Sequence, residues 1–388
     1  MVTLIIYHNI FGIPNIIYWS SYNLYVEHIW KIGRHGESKR RDMHGHRKSD
    51  KGKNLSICEL PGEEICTDIG KAMGTFLRIT SYGRPQGEVS KAVRAYFRNV
   101  ENLCSRFRSD SDVSRISAAA GVKPVMVSSL CRDVCRCSLR EAVFTGGIFD
   151  PTVGALTSLW NIGGENERIP SEEEIEKAKV LIDYRHIEIG ERSVFLKEKG
   201  MSLDLGGIAK EYALHKAAAL AERMGECSMM IDAGGDICVV GNKPDGSAWR
   251  LGIQHPRQRS TLIATVALGS EDTVETSGDY RRFLLKDGLM QSHIFQIKKK
   301  IPLISATLIY KRNGEMLPVS GAACIAGGLD KVREWLERIP RLEGIFITED
   351  LQAYVTEGIS DRVRILTKDA DRRALIRHEY EGECHGSY

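Results

Sequence analysis

The chain has 388 residues and a formal net charge of +3 at pH 7; hydrophobic residues make up 42% of it and charged residues 27%. This composition is typical of a soluble globular protein, and the length allows a sizeable core and two or three domains. The net charge is small and no basic helix with interleaved aromatic residues occurs, so we do not expect nucleic acid as a partner.

The first 65 residues differ from the rest of the chain. Residues 1–30 are rich in Ile, Tyr and Trp, and the basic tract at 31–53 has so few apolar residues that we predict disorder. No secretory signal or lipid-accepting cysteine is recognisable. Two interpretations stay open. Either this is an extension without a fold, or residues 4–25 associate with a membrane and leave the rest cytoplasmic.

From Thr75 onward, strand and helix patterns follow one another. Ser171 and Glu174 have the spacing of a capping box, which predicts a helix start. Because the strands are interspersed with helices without regular βαβ spacing, we predict an α+β fold with antiparallel sheets. We predict helices at 88–107, 128–144, 171–181, 211–225 and 329–339, a hairpin at 187–197, and further strands at 75–83, 229–241, 249–254, 262–268 and 344–348.

The ten cysteines are scattered along the chain instead of forming a framework. Cys131, Cys135 and Cys137 fall on one predicted helix, and no second cluster completes a four-ligand metal site. We interpret these three thiols as reduced core residues, which weakly indicates a reducing compartment.

Residues 202–236 are the most informative segment. Asp204, a glycine pair and Lys210 stand at the start of a predicted helix, and a second glycine pair precedes Asp236. Glycines let a ligand approach the backbone, and a helix start with a lysine one turn in favours a phosphate. The segment therefore predicts a site for a phosphorylated ligand. The alternative is an ordinary glycine-rich turn with a solvated lysine.

Seven segments, in a fixed order, resemble the ApbE family of FAD:protein FMN transferases. They are AMGTFLRIT (72–80), FRSDSDVSRISAAAG (107–121), FDPTVGALTSLWNIG (149–163), SLDLGGIAKEYAL (202–214), IDAGGDI (231–237), WRLGIQHPR (249–257) and TSGDYRRF (276–283). The resemblance covers roughly residues 70–360. It implies an α+β, T-fold-like architecture of mixed antiparallel sheets packed with helices around an FAD cleft. We accordingly divide the chain into an extension (1–65), a flavin transferase domain (66–365) and a charged tail (366–388).

The resemblance also implies a reaction. Members of the family move FMN from FAD to a threonine of a target flavoprotein and release AMP, and some hydrolyse FAD to FMN and AMP. Attack at phosphorus gains most from positioning and charge neutralisation, usually with a divalent metal. The implied ligands are FAD as substrate and Mg²⁺, and the implied partner is a flavoprotein subunit of an electron-transport complex. Family members often act on the periplasmic side as lipoproteins.

Site residues follow from the resemblance position by position. The carbonyl of Gly207 would hold the metal, and Asp204, Asp236 and His293 would take catalytic roles. The implied FAD contacts are Met73, Phe107, Ile148, Phe149, Asp150, Asp204, Lys210 and Phe295.

Several of these residues have an alternative interpretation. Met73, Phe107, Ile148 and Phe149 are also typical of a core. Asp150 precedes a proline and is also typical of a turn. Asp236 could equally orient backbone N–H groups, and a lone histidine such as His293 is often structural.

The chain departs from the family pattern in two places. After His293, Gln296 and Lys300 replace an aspartate and a glycine, and residues 298–300 are all lysine. Further on, Pro318 and Ala322 stand where the family has a metal-binding aspartate and threonine.

Three explanations of the second departure stay open. The alignment is shifted and Ser320 is a ligand, or FAD phosphates and Gly207 hold the metal, or the lysine run neutralises the pyrophosphate. The transferase hypothesis is thus accompanied by two others, a catalytically impaired FAD-binding protein and an FAD pyrophosphatase that yields FMN and AMP.

Overall fold

The computed structural model of the protein describes most of the region that resembles the family. The expectations about the N-terminal extension, His293, Phe295 and the lysine run at 298–300 lie outside the described residues. Those described are 65–82, 87–160, 168–258, 260–279, 284–286, 289–291, 301–367 and 370–375.

The elements alternate irregularly along the chain. The helices of the described residues are α1 (Glu88–Cys104), α2 (Asp112–Ala118), α3 (Ser129–Thr145), α4 (Gly154–Trp160), α5 (Glu172–Lys179), α6 (Ala209–Arg223) and α7 (Gly321–Arg338). The strands are β1 (Ile65–Ala72), β2 (Thr75–Tyr82), β3 (Val125–Met126), β4 (Ile187–Ile189), β5 (Ser193–Leu196), β6 (Met229–Ala233), β7 (Asp236–Val240), β8 (Trp249–Gln254), β9 (Leu262–Leu268), β10 (Asp272–Gly278), β11 (Leu284–Lys286), β12 (Leu289–Gln291), β13 (Leu303–Lys311), β14 (Glu343–Thr348), β15 (Ala353–Thr356), β16 (Val363–Ile365) and β17 (Arg372–Leu375).

A nine-stranded sheet in the order β1-β2-β6-β7-β10-β13-β14-β15-β17 organises the molecule. Neighbouring strands are antiparallel except for β15 and β17, which run parallel. Separate sheets are formed by β16-β9-β8, by β3-β5-β4 and by the hairpin β11-β12. The expected α+β class with mixed antiparallel sheets is confirmed.

Both faces of the large sheet are buried at its central strands, whereas the edge strands β1 and β17 have exposed positions. On β7, Cys238 and Val240 pack into the core formed with α1, α3, α6 and α7, whereas Ile237 and Val239 pack into the core formed with β8, β9 and β16. Successive side chains of a strand point to opposite faces, so a strand covered on both sides is apolar throughout. This explains why β7 is buried at every position.

Most predicted elements are present at the expected places. The hairpin of β4 and β5 forms, and Ser171 and Glu174 make both bonds of the capping box that starts α5. Cys131 and Cys135 are buried with free thiols, as a core role requires. Among the residues that the structure describes, no helix has the length and apolarity needed to cross a membrane.

Two elements differ from the prediction. The part of α7 beyond Gly328 is the helix predicted at 329–339, whereas the part from Gly321 to Gly328 was not predicted. The Ser320 side chain caps this first part by accepting the Ala323 N–H (3.2 Å). Gly328 interrupts the helix with φ 74° and ψ 179°, so a helical pattern is readable only beyond it. In the predicted charged tail, Arg372–Leu375 add strand β17 to the large sheet beside β15.

Two glycines in the connection between β7 and β8 allow a test of the packing there. Gly241 and Gly246 both have positive φ (64° and 77°). A Cβ on Gly241 would lie 1.8 Å from the Cys227 carbonyl oxygen, whereas a Cβ on Gly246 would meet nothing within 4 Å. The two positions therefore share the backbone cost of a side chain and differ in the steric cost.

We expect Gly241→Ala to lower the free energy of unfolding by at least about 2 kcal/mol more than Gly246→Ala, because only the former forces backbone to move. Denaturant unfolding of the two variants measures the difference. Equal destabilisation would contradict the close approach of the turn after β7 to Cys227.

Candidate functional site

Several of the segments that resemble the family meet at one edge of the large sheet, where the strands end. The turn between β1 and β2 and the turn between β6 and β7 lie side by side, since Leu77 pairs with Ala233. The end of β10 and the start of β13 lie at the same edge, because Gly278 pairs with Ser305. In an antiparallel sheet, the end of one strand lies beside the start of the next. The topology thus gathers segments separated by more than 200 residues.

The two turns at this edge are tight. Met73 and Gly74 both have positive φ (53° and 71°), which is the geometry of a two-residue type I′ hairpin turn. A non-glycine residue is strained in this region of backbone space, and Met73 is held there half-buried against the core. Gly234 (φ 70°) faces this turn so closely that a Cβ would lie 2.3 Å from Thr75 Oγ1.

Asp204 holds the entrance to helix α6. Its Oδ1 accepts the Gly206 N–H (2.9 Å), and its Oδ2 accepts the Thr157 hydroxyl (3.1 Å). Arg106 Nε lies 2.7 Å from the same Oδ2. The side chain is 3% exposed, so the carboxylate is compensated by protein groups on both oxygens. In this structure Asp204 organises the glycine turn, and its direct contact with FAD stays a prediction.

Arg106 is a site residue that the sequence analysis missed. Its guanidinium carbon lies 4.1 Å from the centroid of the Phe107 ring, within the range of a cation–π contact. Phe107 is 59% exposed, which makes its interpretation as a core residue wrong. The ion pair of Arg106 with Asp204 joins residues 98 positions apart in a chain with no local signal for it. The pair presents an aromatic face to solvent beside the start of α6.

The other predicted FAD contacts divide by burial. Phe149 lies in the core (1% exposed), and Ile148 packs partly buried against it. Asp150 accepts the Thr152 N–H (2.8 Å) and the Tyr184 N–H (2.9 Å), which is the turn role given above as its alternative. Burial raises the pKa of Asp150. Contacts of these three residues with FAD stay predictions.

Lys210 and Asp236 are brought together across the site. The Lys210 ammonium makes an ion pair with Asp236 Oδ2, and Asp236 Oδ1 accepts the Thr276 N–H (3.4 Å). Lys210 is the second residue of α6 and its side chain is 18% exposed. Asp236 therefore connects the start of α6 to the start of β7 and to Thr276 of β10. It also holds the Lys210 charge at the sheet edge.

The end of β10 contributes further polar groups. Thr276 Oγ1 lies 3.2 Å from Thr307 Oγ1 on β13. Asp279 receives both terminal nitrogens of Arg257 at 2.8 and 3.0 Å, a two-point carboxylate–guanidinium pair. This pair connects two of the family-like segments, WRLGIQHPR and TSGDYRRF.

Three buried glutamates around the starts of α6 and α7 form a second feature that the sequence analysis missed. Glu141 Oε1 accepts the Ser320 N–H (2.8 Å), Glu275 Oε1 accepts the Gly321 N–H (3.0 Å), and Glu211 accepts the Tyr310 hydroxyl. No local signal distinguishes them, since other charged residues lie on the same elements, such as Arg140 on α3, Lys216 on α6 and Asp272 on β10.

The pKa values of these glutamates are raised. Burial raises the pKa of Glu141 to about 7 and that of Glu211 to about 8. Burial, followed by the negative charges of Glu211, Asp236 and Glu141, raises the pKa of Glu275 well above its usual range. Lys210 opposes this effect. The cluster therefore retains protons at neutral pH unless a cation relieves it.

The structure provides few side-chain ligands at the metal positions implied by the resemblance. Pro318 and Ala322 offer no side-chain oxygen, and the Ser320 hydroxyl caps α7. Within the described ranges, no group of three or more His, Cys, Asp and Glu side chains is arranged to hold a metal ion. However, Glu275 Oε2 is buried without a hydrogen-bond partner in the described part of the chain. This hard oxygen fits Mg²⁺ if ligand phosphates supply the remaining contacts.

Comparison with known proteins identifies the family. The ApbE family matches residues 73–346. An FAD:protein FMN transferase of Treponema pallidum (strain Nichols) is 29% identical over 316 residues, which cover 76% of this chain and 87% of the relative. One from Vibrio cholerae is 28% identical over 267 residues, 66% of this chain and 80% of the relative.

A solved structure supports the same conclusion. The crystal structure of the ApbE protein from Thermotoga maritima superposes with a TM-score of 0.68 at 26% identity, covering 78% of this chain and 100% of that one. These matches define the class, an α+β protein with the flavin transferase fold. The chain belongs to the ApbE family, so the resemblance noted in the sequence is confirmed.

The raised pKa of Glu141 predicts how stability depends on pH. The folded state binds more protons than the unfolded state between the ordinary glutamate pKa of 4.5 and about 7. The associated stability is therefore fully present below pH 4.5 and is lost as the pH rises through 7. Glutamine in place of Glu141 still accepts the Ser320 N–H and does not titrate.

We expect Glu141→Gln to reduce the loss of unfolding free energy between pH 5 and pH 8 by on the order of 2 kcal/mol relative to the wild type. Denaturant unfolding at the two pH values measures this difference. Glu337→Gln, an exposed site on α7, is the control and should follow the wild-type profile. An unchanged slope in Glu141→Gln would contradict the burial of an ionisable carboxyl there.

Proposed function

We propose that the protein is an FAD:protein FMN transferase, which moves FMN from FAD to a threonine hydroxyl of a target flavoprotein and releases AMP. The observation that carries the proposal is the meeting of Lys210, the glycine turn before α6 and the exposed Phe107 ring at one sheet edge. These groups belong to family segments in family order, and the curated relatives described above are named for this activity.

The start of α6 supports binding of the pyrophosphate. The helix begins after Gly206 and Gly207 and has no side-chain cap at Ile208. Its N-terminal dipole and backbone N–H groups favour an anion. Lys210, the second residue of the helix, adds a full positive charge, and Asp236 holds that charge at the sheet edge. A phosphate that binds here would share Lys210 with Asp236.

The Arg106–Phe107 pair supports binding of a flat ring system. Phe107 has an exposed face, and the guanidinium behind it is held by Asp204. Stacking on an aromatic side chain needs a fixed ring with one free face. The isoalloxazine and adenine of FAD are both suitable occupants. Asp204 thus supports ligand binding through the two segments it fixes, the glycine turn and this ring.

Transfer of FMN requires the acceptor hydroxyl to attack phosphorus while AMP leaves. Positioning and neutralisation of the pyrophosphate charge supply most of the rate in such reactions. When bound, Mg²⁺ neutralises phosphate oxygens, and the Gly207 carbonyl and Glu275 are the groups of this chain that would hold it. We propose Asp236 as a positioning residue for Lys210. His293 and Phe295 keep their proposed roles from the family pattern.

The partner that we propose is a flavoprotein subunit of an electron-transport complex with an acceptor threonine. A second function has one observation in its favour. Pro318 and Ala322 remove the two family side chains that bind metal, which favours an FAD-binding protein with impaired turnover. Hydrolysis of FAD to FMN and AMP is the outcome if water replaces the acceptor.

Lys210→Ala should weaken FAD binding about 10- to 100-fold, the effect of losing a hydrogen bond to a charged group. Lys216→Ala is the matched control, because Lys216 lies on the same helix and is exposed. Flavin fluorescence titration in EDTA measures both dissociation constants. Equal affinity of the Lys210→Ala variant and the wild type would remove Lys210 from the phosphate site.

The transferase activity itself is tested by mass spectrometry. We expect the full-length protein, incubated with FAD, Mg²⁺ and a peptide with a family-type acceptor threonine, to make the peptide heavier by one FMN and to release AMP. The same peptide with alanine at the acceptor position is the control. Bound, intact FAD with an unmodified peptide would favour the impaired binding protein, provided that an active family member modifies that peptide. Release of FMN without peptide modification would favour the pyrophosphatase.

A further inference from the structure

The start of helix α7 has lost two side-chain oxygens and has a carboxylate beside it. Pro318 and Ala322 cannot ligate a metal through their side chains. Glu275, which comes from β10, places Oε1 3.0 Å from the Gly321 nitrogen. Gly321 is the residue directly before Ala322. A carboxylate from another element thus occupies the neighbourhood of the missing ligands.

The second oxygen of the Glu275 carboxylate makes no hydrogen bond within the described part of the protein. Glu275 is 6% exposed, and its Oε2 is buried without a hydrogen-bond partner among the residues described. A buried polar atom that bonds to nothing costs free energy. Capping of α7 requires only Oε1. Binding of a proton or a cation to this oxygen would therefore remove that free-energy cost.

The position of Glu275 in the sheet places it beside Lys210. Val274 pairs with Ile237, so the next positions along these antiparallel strands, Glu275 in β10 and Asp236 at the start of β7, are neighbours. Asp236 binds Lys210, which we propose to bind the pyrophosphate. Glu275 thus lies on the phosphate side of the sheet edge.

The charge balance at this edge favours a cation. Glu141, Glu211 and Asp236 are further buried carboxyl groups around the starts of α6 and α7, and Lys210 is already paired with Asp236. FAD would add the negative charges of its two phosphates. A divalent cation between the phosphates and Glu275 would offset both sets of charges, whereas a proton would offset only one.

We propose that Glu275 Oε2 is a carboxylate ligand of a divalent cation shared with the pyrophosphate of FAD, in place of the aspartate whose position Pro318 occupies. This inference rests on the proposed function, because the phosphates supply the other oxygens. It also explains why no complete metal site is found in the described part of the protein without FAD. Cation binding is consequently coupled to FAD binding.

Mn²⁺ binding to the full-length protein tests the proposal. Electron paramagnetic resonance measures free Mn²⁺ with and without saturating FAD, and flavin fluorescence in EDTA measures FAD binding separately. We expect FAD to tighten Mn²⁺ binding to the wild type at least tenfold. Glu275→Gln, which keeps an acceptor for the Gly321 N–H, should lose at least tenfold in Mn²⁺ affinity and keep its affinity for FAD in EDTA.

Glu141→Gln is the matched control, because Glu141 caps the preceding N–H of the same helix start. It should retain Mn²⁺ affinity within threefold. Glu275→Asp retains a carboxylate with shorter reach and should give an intermediate affinity, which also provides a test if the glutamine variant does not fold.

The outcomes separate this inference from the proposed function. FAD binding with equal Mn²⁺ affinity in the wild type and Glu275→Gln would overturn the role of Glu275 and leave the proposed function intact. The same holds if FAD has no effect on Mn²⁺ binding to the wild type. Equal losses of Mn²⁺ affinity in the Glu141 and Glu275 variants would mean that only the total negative charge matters. This result would overturn the role of Glu275 as a specific ligand. Failure of the wild type to bind FAD would overturn both.

Discussion

The burial of both faces of the nine-stranded sheet is the constraint on which the rest of the structure depends. With helices on one face and a three-stranded sheet on the other, the central strands have no solvated side for polar chemistry. Functional groups can stand only at strand ends and at the helix starts that face them. This is why the β1–β2 and β6–β7 turns, the end of β10 and the starts of α6 and α7 converge on a single edge.

Two ion pairs then give this edge its shape. Lys210 with Asp236 ties α6 to the sheet, and Arg106 with Asp204 ties the exposed Phe107 ring to the turn before the same helix. Each pair is largely buried, and a buried pair contributes more to geometry than to net stability because desolvation offsets the attraction. Both pairs are best understood as fixing where a positive charge and an aromatic face meet a ligand. The pKa values of Glu141, Glu211 and Glu275 at the same edge are raised, because burial disfavours the charged form of each carboxyl group.

Much of the fold was predictable because it rests on local signals. Apolar strand segments, the capping box at Ser171 and the glycine turns each involve neighbours within a few residues, so these patterns are complete in the sequence. The site was predictable only in part. Asp204, Lys210 and Asp236 stood out through their glycine-rich context, whereas Arg106 and Glu275 stood out through nothing local. The predicted helix at 329–339 is present beyond Gly328, and only the segment of α7 before it was not predicted, because Gly328 breaks the periodic pattern on which a helix prediction relies.

The sequence by itself determined the family, the α+β class and the segments that form the site, because ordered motifs and periodicity are properties of the chain alone. Only the tertiary structure decided which charges meet. It pairs Arg106 with Asp204 and Lys210 with Asp236, and it brings Glu275 to the start of α7, which lies 46 positions further along the chain. Sheet order controls these meetings through hydrogen bonds between distant strands. The energy of a buried charge depends on the groups that surround it in space. These groups come from distant parts of the chain, so the residues next to the charge in sequence do not identify them.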